Sequence, residues 1–574
     1  MSEAMRESEQ PACPRAQENN SKKKKKKRKT RQQKQSQHQQ QQQVGVEEGA
    51  RSSVDPPQPD RTGTGTETGT DPLLRGIFQI GKKSHDVVLT ASRITWTPIE
   101  PDHPTGQSSV KKPQEDSVEL KDVFAVKVKR RRSVGQTSGG TLLGITLFTC
   151  RPKGAKLKDH AVHLNNLSAD HCEIWFKQLK EILNGFQSRP KSLKVFINPC
   201  SHKKEANQIY EDQVAPLFKL ADIKTDVTIT ERKGHALSIL KDCRLDEYDG
   251  VVCVGGDGSV AEVAHGLLLR AQMDAGRDTD SIFMPVQAAL PLGVIPAGST
   301  DAVACSVHGI RHPVTAALHI IMGHRQAVDV CSVSSMGRLL RFCFSVMFGF
   351  GSRTLAAAEK LTWIPNTQRR EVAFITTLTN LKPEECELSF IPSSGGVVDQ
   401  SDSESESELS DVGEGGPWQR RRGLFLNISI MSIPCLCSIA PRGLAPFTRL
   451  NNSSMALVAV GNASRSEFIK HLKRYSSTNN QFSFSFVETQ CVYAVRLRPR
   501  SHSGWTDETS EENEESDSKN TPIISSEGTH PWNIDGELLE VPGELLIRVH
   551  SRILTLFGAD VEEAEERPIK CSCI

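Results

Sequence analysis

Apolar positions in the middle of this chain change period in a regular way. Short runs of apolar residues alternate with longer stretches of helical spacing from 191 to about 330. The run 195–197 ends in Asn198-Pro199 and leads into a helical stretch over 206–220. A strand over 226–230 and a helix over 234–240 follow. Residues 251–254 contain no polar member, which suits a strand buried on both faces. That run meets Gly255-Gly256-Asp257-Gly258, and helical spacing resumes near Ser259. A second apolar run from Leu292 ends in Pro296-Ala-Gly-Ser-Thr-Asp301, whose last three residues are helix N-cap types. The pattern predicts β-α-β-α-β-α-β-α, with parallel strands.

On either side the period is that of strands. Upstream, 73–80, 86–89, 94–98, 118–129 and 145–150 read as short strands. Asp170-x-x-Glu173 reads as a capping box opening a helix with Ile174, Trp175, Leu179 and Ile182 on one side. Strands closed by one Trp-bearing helix resemble a pleckstrin-homology domain, a module that docks on phosphoinositide membranes; a protein-binding scaffold is the other reading. Lys82 and Lys83 in the first hairpin are its candidate phosphate contacts. Downstream, 372–376, 423–431, 454–460, 492–497 and 544–550 also read as strands.

Composition adds the parts that do not fold. At 574 residues the chain has room for three or four domains, but only 37% is hydrophobic. Residues 1–70 carry a Lys/Arg run, a Gln run and a Thr-Gly repeat, and cannot bury a core. The stretches 395–417 and 506–520 are acidic and read as loop insertions, and 561–574 as a tail. Net charge is +2, with the signs segregated. No segment suits a signal peptide or a membrane span, so the fifteen cysteines are expected as reduced thiols in cytosol or nucleus. The run Lys22–Lys29 reads as a nuclear or nucleolar address for the import machinery, or as a solvated tail. Lys129–Arg132 is a second cluster, inside a folded domain. No specific nucleic-acid partner is inferred. Two weaker signals are Cys571-Ser-Cys-Ile574, at the position of a prenylation site, and Ser403–Glu408, which suits acidophilic phosphorylation.

The chemistry lies in the glycine loops. Gly255, Gly256 and Gly258 let backbone N–H groups approach a phosphate, and the following helix start adds partial positive charge. Asp257 inside such a loop can accept a proton from an attacking hydroxyl. A plain strand–turn–helix corner would also explain this loop by itself. Four blocks in order carry more: Asn198-Pro199, Thr230-Glu231, Gly255–Gly258 with Glu262, and Ile295–Asp301, joined far downstream by Pro531-Trp-Asn-Ile-Asp-Gly-Glu537. Together they resemble the diacylglycerol kinase catalytic family, in its sphingosine/ceramide kinase branch.

The resemblance implies a multidomain α+β chain. A pleckstrin-homology-like β-sandwich with a C-terminal helix (71–187) precedes an α/β nucleotide-binding part (191–330) and a β-sandwich part (331–560), with the cleft between the last two. It implies ATP and Mg²⁺ as cofactors. Asp257 becomes the base that deprotonates a lipid hydroxyl. Gly255, Gly256, Gly258, Ser299 and Thr300 face the nucleotide phosphates, and Asn198 and Thr230 hold the nucleotide from the side. Glu262, Asp535, Gly536 and Glu537 complete the nucleotide and magnesium environment; no metal ligand set is assigned. The implied partners are ATP and a membrane lipid of sphingolipid or diacylglycerol type, with phosphoinositides for the N-terminal module. The implied location is cytoplasm and nucleus, at the periphery of intracellular membranes. Walker A, His-Arg-Asp and Asp-Phe-Gly sequences are absent, which excludes P-loop and protein kinases.

Three departures bear on activity. The loop after Asn198-Pro199 reads Cys-Ser-His-Lys-Lys204 where relatives have glycines. Phe350-Gly-Ser-Arg353 lacks the acid that sphingolipid kinases place there. Glu359-Lys-Leu-Thr362 lacks a phosphate-facing arginine, for which Arg369 and Arg370 are candidate replacements. Two functions follow: a lipid kinase of shifted substrate, or a pseudokinase that binds nucleotide or lipid as an adaptor.

Overall fold

A computed structural model describes residues 71–99, 115–131, 134, 139–201, 203–277, 284–393, 417–477, 479–500 and 530–559. The expectations for the 1–70 tail, the two acidic insertions (apart from residue 417) and the 561–574 tail lie outside the described residues.

The N-terminal domain is a seven-stranded antiparallel sheet followed by one helix. Its strands are Leu74–Ile80, Lys83–Leu89, Arg93–Pro98, Asp116–Glu119, Val123–Arg131, Thr141–Lys153 and Lys156–Asn165. The last was not visible in the sequence, because its exposed positions are charged and its alternation is weak. The helix spans Ala169–Asn184 and starts one residue before the expected box: Ser168 is the N-cap, its Oγ accepting the His171 N–H. The buried stripe is Cys172, Trp175, Leu179 and Leu183, while Ile174 faces solvent. Trp175 meets Phe78 edge-on at 5.0 Å. Gly76 in the first strand leaves room for that helix, since a Cβ there would lie 2.5 Å from the His171 ring.

This domain is joined to the next through buried contacts. Phe124, Ala125 and Cys150 share a core with Leu193, Val195, Ile320 and Phe557. Arg189 donates to the carbonyls of Val123 and Lys121 at 2.6 Å each. The Asp222 carboxylate takes Lys127 and Lys180.

The α/β domain places four parallel strands side by side: Lys224–Ile229, Ser192–Ile197, Gly250–Gly255 and Leu292–Pro296. Their carboxyl ends all open on one side, the side where ligands bind such sheets. The helical stretch expected over 206–220 is interrupted by a π-helical turn, Tyr210–Val214. The helix after the first glycine loop spans Asp257–Asp274, two residues earlier than its spacing suggested, with Gly256 as N-cap.

The long last strand, Leu545–Phe557, runs parallel to Leu292–Pro296 and antiparallel to both Arg325–Ser335 and Val487–Pro499. It therefore stitches the parallel sheet to the antiparallel C-terminal part. That part continues through Glu384–Pro392, Gln419–Met431, Ser345–Gly349, His530–Ile534 and Glu537–Val541, with Met455–Gly461 pairing both Gln419–Met431 and Val487–Pro499.

One expected strand is helical. Residues 372–376 lie inside the helix Asn366–Thr379. Their β-branched character favours strands in isolation. Here Ala373 and Thr377 are buried, and Thr376, Thr377 and Thr379 each return a hydroxyl to the carbonyl four residues back. Among the described residues no helix is long and apolar enough to cross a membrane.

Two buried histidines make the fold acid-sensitive. The rings of His308 and His319 stack 5.4 Å apart, and His308 donates to the Val294 carbonyl. Burial pushes His308 down to about 4 and His319 down to about 3. Both are neutral in the fold, whereas the unfolded chain binds their protons near pH 6.5. Their contribution is whole above pH 6.5 and is lost as pH falls toward 4. Between pH 7.5 and pH 5 this pair should withdraw the equivalent of roughly 2–4 kcal/mol, read from denaturant midpoints. His308→Gln/His319→Gln should remove that share and leave the share of His265, His471 and His550, which burial also pushes down to about 4.

Candidate active site

The two glycine loops meet backbone to backbone. A Cβ on Gly298 would lie 2.5 Å from the Gly256 Cα, and one on Gly256 would lie 3.0 Å from the Gly298 Cα. Both residues must be glycine for the loops to touch. Gly255 ends its strand against Ser259, whose Cβ would stand 2.9 Å from an added methyl. Gly258 differs: a Cβ there meets only ordinary contacts at 3.7 Å, from Asp535 O and from Glu537. The fold does not require that glycine.

Asp257 occupies the first turn of Asp257–Asp274, half-buried, and its Oδ1 accepts the Val303 N–H at 3.0 Å. Val303 belongs to the first turn of Ala302–His308, so two helix starts converge on this carboxylate. One oxygen is thereby fixed in position and the other is outside that bond.

The other acids around the loops, Asp301 among them though its sequence position marks it only as an N-cap type, are mostly committed to holding the site together. Asp301 adopts φ +54°, with Oδ1 accepting the Gly298 N–H at 2.8 Å and Oδ2 taking Arg311 Nε at 2.5 Å. Burial raises its pKa despite that arginine. Asp535, 5% exposed, accepts the N–H groups of Phe344 and Ser345 and the Ser345 hydroxyl. Burial pushes it up to about 6 against those bonds and Arg341. Glu262 Oε1 accepts Ala236 N–H at 2.9 Å and Leu237 N–H at 3.4 Å. It caps the helix His235–Asp242, whose own N-cap, Gly234, has no side chain to offer.

The side loops are tied in the same way. Asn198 donates to Ser259 Oγ at 2.7 Å and accepts the Cys200 N–H at 2.9 Å. The N–H and hydroxyl of Thr230 both reach the Ile197 carbonyl. Ser299 and Thr300 are exposed on the second glycine loop. The Asp535-Gly536-Glu537 block forms a tight turn, with Gly536 at φ +82° and its N–H on Asn533 Oδ1. That turn lies against Gly258, so the far C-terminal block does return to the first glycine loop. Glu537 pairs with Arg341 through Oε2.

Five arginines complete the picture. Arg370 donates to Ser299 Oγ at 3.0 Å, reaching the loop from the helix Asn366–Thr379. Arg369 instead caps the carbonyls of Thr362 and Ile364. Of the two candidate replacements, only Arg370 is therefore seen on a glycine loop. Arg353 is bound to Glu384 and to the Lys382 carbonyl. Arg341 and Arg311 went unnoticed in the sequence, since neither lies in a motif and both act on acids distant along the chain or around a turn.

Among the described residues no group of three His, Cys, Asp or Glu side chains is arranged to hold a metal. Magnesium held largely by nucleotide phosphates needs only one or two carboxylates. Asp257 Oδ2, Glu262 Oε2 and Glu537 Oε1 are the carboxylate oxygens here that stay outside the bonds just described. The cradle fits a nucleotide phosphate: two glycine loops, two helix starts and Arg370.

Replacement of Gly298 by Ala should cost about 1–3 kcal/mol of stability by forcing the loops apart. Gly258→Ala should melt within about 0.5 kcal/mol of the parent. Thermal unfolding of the two variants side by side checks this.

Three family models cover most of the described chain: the ceramide kinase PH domain over 74–179, the diacylglycerol kinase catalytic domain over 192–333, and the ceramide kinase C-terminal domain over 344–574. Human ceramide kinase-like protein is 54% identical over 519 residues, 86% of this chain and 91% of that protein. Human ceramide kinase is 36% identical over 431 residues, 68% of this chain and 78% of that protein. Sphingosine kinase 2 of Arabidopsis thaliana is 26% identical over 405 residues, 67% of this chain and 79% of that protein. On these matches, the chain belongs to the ceramide kinase-like lipid kinases, with a diacylglycerol kinase catalytic domain.

Proposed function

We propose that the cleft binds Mg·ATP and phosphorylates a hydroxyl of a membrane lipid of sphingolipid or diacylglycerol type, with Asp257 as base. The observation that carries this reading is the contact of Gly256 with Gly298, which sets Asp257 at two converging helix starts. Mg·ATP, when bound, supplies the phosphoryl group and neutralises charge on it. The Val303 N–H fixes Oδ1 of Asp257, so Oδ2 takes the proton as the lipid oxygen bonds to phosphorus and the ADP oxygen leaves. Gly256, Asp257 and Gly258 offer backbone to the phosphates, and Arg370 adds a cation beside Ser299.

A second reading is favoured by the substrate side. Arg353 is turned onto Glu384, and Cys200 stands exposed where a glycine would admit phosphate. On that reading the protein binds nucleotide or lipid without turnover and acts as an adaptor.

The N-terminal domain brings the protein to intracellular membranes. Its first hairpin exposes Lys82 and Lys83, but the adjacent cavity is lined by Asp116, Glu119 and Asp122 as well as Arg151, His160 and His163. Those carboxylates oppose a polyphosphate headgroup, so phosphoinositide binding is weak. Lys22–Lys29 serves as a nuclear address alongside this membrane role.

Transfer of labelled γ-phosphate to ceramides, sphingoid bases and diacylglycerols should give product with at least one class. Asp257→Asn should lower it by roughly 10²–10⁴-fold. Arg370→Ala should raise KM for ATP with little change in melting temperature. No product from folded protein, with a Mg·ATP thermal shift retained, would select the second reading; no shift at all would remove the kinase and leave the second reading only in its lipid-binding form.

A further inference from the structure

We infer that the loop 433–452, at the lip of the cleft, docks on an anionic bilayer by inserting Ile439 and Phe447. The inference rests on the lipid-kinase reading and assigns the surface at which the protein would meet its substrate's membrane.

The loop is a built structure. Leu444 and Ala445 N–H groups both reach the Pro434 carbonyl, at 3.0 and 3.3 Å. Cys437 and Ala440 exchange two backbone bonds at 3.1 Å, and Gly443 N–H closes onto the Ala440 carbonyl. Its underside, Ile433, Cys435, Ala445 and Leu450, packs into the same core as Val303, Ala304 and Val307. The loop turns two of its largest side chains away: Ile439 is 64% exposed and Phe447 is 83% exposed. Phe447 also sits at φ +59°, a region that an aromatic residue rarely occupies, with its carbonyl held by Asn452 Nδ2 at 3.1 Å.

The surroundings say which partner fits. Arg442 and Arg449 are exposed on the same loop. Two projecting apolar anchors flanked by arginines match a bilayer interface, where side chains enter the acyl boundary and cations meet anionic headgroups. Two isolated anchors are too little for a stable protein interface.

Position ties the surface to the chemistry. The Leu436 N–H donates to Ser306 Oγ at 3.1 Å, in the helix whose Val303 N–H holds Asp257. Burial raises the Cys435 and Cys437 thiols, and the charge of Asp257 adds in the same direction. Docking here would bring the bilayer to the loop that packs on the helix whose first turn holds Asp257.

The test is co-sedimentation of the full chain with vesicles of phosphatidylcholine alone and of phosphatidylcholine with phosphatidylserine. Partition onto the mixed vesicles should fall about tenfold or more for Ile439→Ala/Phe447→Ala. It should fall less for Arg442→Gln, and weaken when phosphatidylserine is withdrawn or salt is raised. Phe447→Trp should retain partition and show tryptophan emission quenched by brominated acyl chains, beyond that of the parent protein. Equal partition of parent and double variant, or no added quenching, overturns the proposal. Phosphate transfer to detergent-dispersed lipid, where no bilayer is present, reports on the kinase reading separately. Docking without transfer supports the surface and counts against turnover alone.

Discussion

Carboxylates that accept backbone N–H groups from distant segments hold this molecule together. Asp535 takes Phe344 and Ser345, and Glu262 takes Ala236 and Leu237; Asp301 does the same within its own loop, taking Gly298. Asp329, fully buried, takes Ser453 and Arg552, and Asp249 takes Lys191 and Ser192. Loop ends and helix starts leave N–H groups that the ladders do not satisfy. A carboxylate answers two of them at once, with charge-assisted bonds. The cost is a buried charge, visible in the raised pKa of Asp301, Asp329 and Asp535.

The chemistry of the cleft follows from that arrangement. Several acids surround the glycine loops, yet most are spent as ties. Asp257, Glu262 and Glu537 each keep one oxygen outside these ties. Glu537 is there only because the strand Leu545–Phe557 draws the C-terminal part onto the parallel sheet, which brings the preceding turn against Gly258. The cleft is therefore assembled from segments near 200, 257, 300, 370 and 535, and no one of them forms it alone.

Much of the frame was legible. The all-apolar runs around 195, 252 and 294 did form parallel strands, because a strand buried on both faces needs no partner-specific pattern to be read. The glycine loops were legible too, since a turn at a strand end and a close backbone approach restrict residue type locally. Local rules misled where tertiary packing overrode them. The β-branched segment 372–376 became helical because Ala373 and Thr377 fall on one helical face against a neighbouring helix. The first-domain helix took Ser168 rather than Asp170 as its cap, since burying Cys172, Trp175, Leu179 and Leu183 fixes which residue starts the turn.

The sequence by itself determined the strand–loop–helix grammar, the position of Asp257 in a glycine loop ahead of a helix, and the family resemblance, all of which depend on residues close together in the chain. Tertiary structure decided which acids are ties and which face the cleft, and that Arg370 rather than Arg369 reaches Ser299. It also decided that Arg341 belongs to the site. The reason is physical: a side chain's role is set by the partner that satisfies it, and these partners come from segments whose approach only the packed fold defines.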